Sequence, residues 1–212
     1  MEPRDVAEIV IDRVMDFCEN NRGDKLECMT DHSPDQFEVF IDAYLPDWMA
    51  EDLEKAIENS DNFWDEVKKE YESLWKSWII TKVGNSLGDE IDLTLSSIID
   101  NPRLNNDYKA RRLKAYAEVL DKFGDAVLHA LQERKPLSRK DLYYRLTELG
   151  DTAFGAGDYD YNNDVNYYLS YYDELNDDGK LDVLDILLNN IDDAFSDIND
   201  ELRKLEALTN KS

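Results

Sequence analysis

Residues Leu181–Leu208 read LDVLDILLNNIDDAFSDINDELRKLEAL, and the fold follows from where the apolar residues fall. Leu184, Leu187, Leu188, Ile191, Phe195, Ile198, Leu202 and Leu205 recur at steps of three and four, which sets them on one stripe of an α-helix. Asp182, Asp185, Asp192, Asp193, Asp197 and Asp200 fall off that stripe. A helix with one apolar stripe has to bury it against other elements. The stretch therefore predicts a bundle whose outer face is acidic.

Working outward, the same period recurs. Val6, Ile9, Val10 and Phe17 form a first stripe, ended by Arg22-Gly23-Asp24. After a polar loop at Thr30–Ser33, Pro34 opens a second helix carrying Phe37, Phe40, Ile41 and Tyr44, and a short helix over Trp48–Ile57 follows Pro46. A long helix over Asp61–Lys82 aligns Trp64, Val67, Tyr71, Leu74, Trp75, Trp78 and Ile79 as the core of a first lobe. Gly84 and Gly88 read as a turn before a helix with Ile91, Leu95, Ile98 and Ile99, stopped by Asn101-Pro102. Leu113, Tyr116, Ala117, Leu120, Phe123 and Leu128 continue past Gly124, and Ser138 with Asp141 starts a helix over Leu142–Leu149. Gly150–Asn163 is rich in Gly, Asp and Asn and reads as an exposed loop. Two helices, over Val165–Leu175 and Leu181–Leu208, complete an all-α multi-helix bundle with two lobes and no β-sheet. No repeat of the solenoid kind is present in the sequence.

Charge divides the chain. Met1–Pro102 holds 26 acidic and nine basic residues, Arg103–Arg145 six and eleven, and Leu146–Leu202 sixteen and one. The expected organisation is an acidic helical lobe (1–102), a basic helical segment (103–149), an exposed acidic loop (150–164) and an acidic C-terminal hairpin (165–212), joined as one continuous domain. With 49 acidic against 24 basic residues the net charge is −25, which disfavours nucleic acid and anionic membranes as direct partners and favours a basic one. At 42% hydrophobic residues the chain is too apolar for a disordered acidic tail. No apolar run approaches the roughly 20 residues of a membrane helix, and acids interrupt the first apolar run. Cys18 and Cys28 are too few for a disulfide framework, so they read as two buried thiols and the chain as cytoplasmic.

Several acidic patterns suggest metals. Glu174, Asn176, Asp178, Asp182 and Asp185, with Gly179 at the sharp turn, resemble an EF-hand loop, although Glu174 replaces the first Asp and Asp185 the closing Glu. A helix junction capped by Asp177 or Asp178 accounts for the same residues. Asp158, Asp160, Asn162 and Asp164 alternate without the glycine or closing acid of such a shell. Glu51 and Glu54, with Asp89 and Asp92, resemble imperfectly the paired acids of the all-helical nucleotide pyrophosphohydrolases. Neither His32 nor His129 stands in a Glu-x-x-His pair, which argues against a di-iron bundle, and no nucleophile motif, phosphate loop or Cys-His cluster with zinc spacing is read. The reading therefore requires no cofactor and no catalytic residues.

What remains is carboxylates on the outer faces of stable helices, at a magnitude of charge beyond the 2 to 8 or so that solubility asks of a small domain. Their character is similar to that of phage and plasmid inhibitors of restriction enzymes or CRISPR effectors, a likeness of composition alone. The expected function is a nucleic-acid mimic, not an enzyme, that occupies the cleft of a basic nucleic-acid-binding protein through Asp182, Asp185, Asp192, Asp193, Asp197, Asp200, Asp158, Asp160 and Asp164. The alternatives are a helical adaptor docking through an apolar patch, and a divalent-metal-binding protein or pyrophosphohydrolase.

Overall fold

The computed structural model describes residues 1–20 and 23–211, and among them there are nine α-helices and no strand. The all-α expectation holds. The chain divides into two compact units, Met1–Ile79 and Ile80–Ser212, and the division falls inside a helix.

In the first unit α1 (Pro3–Asn20) buries Val6, Ala7, Val10, Val14 and Cys18 completely. Arg22, expected to help end it, lies outside the described residues. A short α2 (Lys25–Asp31) occupies part of what reads as loop. Seven residues are too few to show a period, but Asp24 caps the helix by accepting from the backbone N–H groups of Leu26 and Glu27. Its far end is satisfied in turn: Trp75 Nε1 donates to the Met29 carbonyl at 2.8 Å and Tyr71 Oη to that of His32 at 2.7 Å. A 3₁₀ turn at Pro34–Gln36 leads into α3 (Phe37–Tyr44), and another at Asp47–Met49 into α4 (Ala50–Asn59). The first part of α5 (Phe63–Ile99) closes the core with Phe63, Val67 and Tyr71, while Trp64, Trp75 and Trp78 are half-buried against it.

The second unit holds the rest of α5 together with α6 (Asn106–Glu133), α7 (Arg139–Phe154), α8 (Tyr159–Glu174) and α9 (Asp177–Thr209). Two expected interruptions are absent for one reason. Gly84 and Gly88 make no turn but lie inside α5 where α9 approaches: a Cβ on Gly84 would sit 2.7 Å from Ile186 Cδ1, and one on Gly88 would run into Asn190. Gly150 opens no long loop but is buried in α7 against the Tyr161 ring. Only the four residues between Phe154 and Tyr159 connect α7 to α8, with Gly155 and Gly157 at positive φ and Asp158 capping α8. Composition marks these glycines as breakers, whereas their missing side chains are what the packing uses.

The basic segment also has a structural use. Arg112 donates to the Thr152 carbonyl at 2.6 and 3.1 Å and to that of Ala153 at 3.3 Å, and Lys109 Nζ to the Ile99 carbonyl at 2.6 Å. Both cations thus meet the carbonyl ends of other helices, where the helix dipole favours positive charge.

Gly-to-Ala substitutions separate packing from propensity. Alanine is favoured over glycine in a helix by about 1 kcal/mol. Gly150→Ala is nevertheless expected to destabilise by about 1–3 kcal/mol, because its methyl overlaps the Tyr161 ring. Gly124→Ala, whose methyl would meet only Ile191 Cγ2 at 3.3 Å, should stay within about 1 kcal/mol of the parent. Thermal melts of the two variants side by side check this.

Candidate acidic interface on the last helix

The buried seam of α9 comprises Leu181, Val183, Leu184, Leu187, Ile191, Ala194, Ile198 and Leu205, joined by Gly179 in the first turn. This fixes the rotation of the helix, and Asp182, Asp185, Asp192, Asp193, Asp197 and Asp200 are all exposed. From Asp182 to Asp200 the helix rises about 27 Å at 1.5 Å per residue.

Part of this face borders an open groove of about 550 Å³ between α5 and α9. Asp92, Leu95 and Ile99 of α5 and Asp100 just past its end line it on one side, and Asp193, Asp197, Asp200, Glu201 and Lys204 of α9 on the other. Crowding is felt inside it: burial, then the neighbouring charges of Asp89, Asp197 and Asp193, raise the Asp92 carboxyl above its ordinary range. Two cations on α9 sit close to single acids, Lys204 Nζ at 3.7 Å from Glu201 and Arg203 at 3.7 Å from Asp200. Asp92, Asp100, Asp193 and Asp197 form no ion pair among the described residues.

The other expected interface residues lie elsewhere. Asp158 is half-buried and spent as the cap of α8, accepting from the Tyr161 N–H at 3.0 Å. Asp160 and Asp164 are exposed on α8, not on a loop, and do not line the groove. Asp182, Asp185 and Asp192 remain on the outer face of α9, outside the groove.

The EF-hand resemblance fails on geometry. Glu174 ends α8 and Asp177 begins α9, so only Leu175 and Asn176 connect them. Asn176 Oδ1 accepts from the Gly179 N–H at 2.8 Å, which makes Asn176, not Asp177 or Asp178, the cap of α9. Asp178 pairs with Arg134 at 3.3 Å, while Asp182 and Asp185 are one and two turns along the helix. A twelve-residue calcium loop has no room to wrap there. Of the acids of the pyrophosphohydrolase pattern, Glu51 and Glu54 belong to the first unit and Asp89 and Asp92 to the second. Among the described residues no three carboxylates bring their oxygens within 4.8 Å of one another.

Two features had no counterpart in the sequence reading. Cys18 and Cys28 are buried as expected, but they form a disulfide and not two thiols, because the last turn of α1 lies beside α2 and brings their Cα atoms to 5.6 Å. His32 Nδ1 is 4.0 Å from both sulfurs. The Cys28-x-x-x-His32 spacing, one helical turn, is the signal that would have found it. On α5, Glu90 is buried with Oε2 lacking a protein partner, and burial, Asp164 and Asp89 push its carboxyl up to about 7.

Set against known protein families, curated proteins and solved structures, the chain finds no match. Among the described residues no helix is long and apolar enough to cross a membrane.

Glu90 sets a pH dependence. The folded chain holds this proton to about 7 against an ordinary 4.5, so between those values the folded state binds more protons than the unfolded one. The contribution is fully present below about 4.5 and is lost as pH rises through about 7. Glu90→Gln should therefore raise the Tm at pH 8 by several degrees and leave it close to the parent's at pH 4. Melts across that range decide it; an equal shift at both ends would remove Glu90 from the account.

Proposed function

We propose that this chain is a nucleic-acid-mimicking inhibitor, whose α9 face and α5–α9 groove occupy the backbone-binding cleft of a basic protein. One observation carries the reading: carboxylates from α9 and the end of α5 line one groove, and Asp92, Asp100, Asp193 and Asp197 among them form no ion pair among the described residues. Fixed carboxylates several ångströms apart along a helix imitate a run of phosphates without the chain ever contacting nucleic acid. Lysine and arginine side chains shaped to a phosphate backbone accept either. A phage or plasmid inhibitor of restriction or CRISPR effectors is the biological setting such a surface suits. The reading asks for no catalytic step.

A second reading rests on the first unit, where Val39 is 81% and Trp48 68% exposed. Large apolar side chains left in solvent favour a helical adaptor that docks through them.

Salt and charge separate the two. Asp92, Asp193, Asp197 and Asp200 replaced together by Asn should fold, because repulsion falls. Binding to the basic partner should weaken by about 10- to 100-fold at low salt, at roughly 0.2–1 kcal/mol per exposed pair. The salt dependence should become shallower, and DNA or RNA should compete with the parent protein for the partner. Undiminished binding by the fourfold variant, lost instead in Trp48→Ala, would pass the case to the adaptor.

A further inference from the structure

We propose that Cys18, Cys28 and His32 form a thiolate–imidazole site for a zinc-class divalent cation, and that the disulfide is its oxidised, metal-free form. The histidine takes no part in the acidic interface, and its ring packs among Phe17, Phe40 and Tyr44 beside the disulfide. Yet the three ligand atoms lie within 4.8 Å of one another, with Nδ1 equidistant, at 4.0 Å, from the two sulfurs. Cys28 and His32 stand one turn apart at the end of α2, and Cys18 is supplied by the last turn of α1. Zinc bonds of about 2.3 Å to sulfur and about 2.0 Å to nitrogen put ligand N···S separations at roughly 3.5 Å in a tetrahedral shell. His32 therefore needs to move by about half an ångström once the sulfurs have parted.

The surroundings fit a metal better than a bare dithiol. Nδ1 now lies 2.7 Å from the Cys28 carbonyl and so carries the proton, while Nε2 is 2.8 Å from Tyr44 Oη. On metal binding the ring proton resides on Nε2 and is donated to Tyr44 Oη, the outer partner that fixes a ligating histidine's tautomer. Phe17, Phe40 and Tyr44 pack around the imidazole with ring centroids 5.1 to 5.8 Å away. Two thiolates in such an apolar wall are costly alone. With one divalent cation and a neutral imidazole their charges sum to zero. His32 is half-buried and Phe17 half-exposed, so water reaches this side of the cluster.

The steps balance. A dithiol reductant takes over the disulfide bond, being oxidised to its own disulfide while Cys18 and Cys28 become thiols. Binding the cation then releases two protons, one from each thiol. An oxidising disulfide reverses the first step and expels the metal.

The test uses the full chain, reduced by a dithiol that is then removed without air, and titrated with cobalt(II) as a visible stand-in for zinc. The expected result is one cobalt per chain with thiolate-to-metal charge-transfer absorption, bleached by one equivalent of zinc, and a zinc-dependent rise in Tm. The oxidised parent, which needs no mutation to fold, should show no such absorption, and carboxylate-bound cobalt elsewhere on the surface gives none. His32→Ala should keep the absorption but bind at least tenfold more weakly, and Tyr44→Phe should lose about 10- to 100-fold in affinity. Cobalt bound by the reduced parent without charge transfer, or His32→Ala binding as tightly as the parent, overturns the assignment.

Discussion

The buried seam of α9 is the interaction on which the second unit depends. It anchors a helix whose opposite face is lined with like charges that push one another apart. Each buried leucine or isoleucine contributes about 1.5–3 kcal/mol relative to exposure, while each exposed repulsion costs a few tenths. The seam wins by that ratio, and its fixed rotation is why the carboxylates point outward. Without so regular a stripe the same acids would unwind the helix or turn inward. The acidic surface is thus a consequence of apolar patterning as much as of charge.

The distribution of cations follows the same logic. Arg112 and Lys109 are drawn to carbonyl ends of helices. Arg134 and Arg139 meet acids near the ends of α8 and α9, at Asp178 and Asp173. The eleven basic residues of the central segment read in sequence as a charge block. In the fold several of them are taken up at helix ends, and the groove cations are instead Arg203 and Lys204 of α9, beside Asp200 and Glu201.

Most of the helices and of their buried faces were legible because three-and-four spacing is a direct image of helical geometry, although Phe17 and Leu128, read as part of such faces, are exposed. Ser138 as a cap was legible for the same reason, being a local device. What escaped depends on a distant partner. Gly84, Gly88 and Gly150 carry no mark that distinguishes a breaker from a contact point, since only Ile186, Asn190 and Tyr161 decide between them. Asn176 displaced its two acidic neighbours as a cap through a one-residue choice of register that pattern alone does not make. The groove on the α9 face was half legible: Asp193, Asp197 and Asp200 stand out as off-stripe acids, but Asp92 and Asp100 join them only once α5 is seen to continue through its glycines. Cys18, Cys28 and His32 converge through the packing of α1 against α2, which the nine residues between the two cysteines do not reveal.

The glycines of α5 also have a metric meaning. Because Gly84 and Gly88 have no side chain, α9 settles closer to α5 than any larger residue would permit, and Asp92 lies just one turn beyond Gly88. The gauge between the two rows of carboxylates is set there, by atoms that bear no charge. A lineage carrying this fold can widen or narrow that gauge through an uncharged position while every acid stays in place.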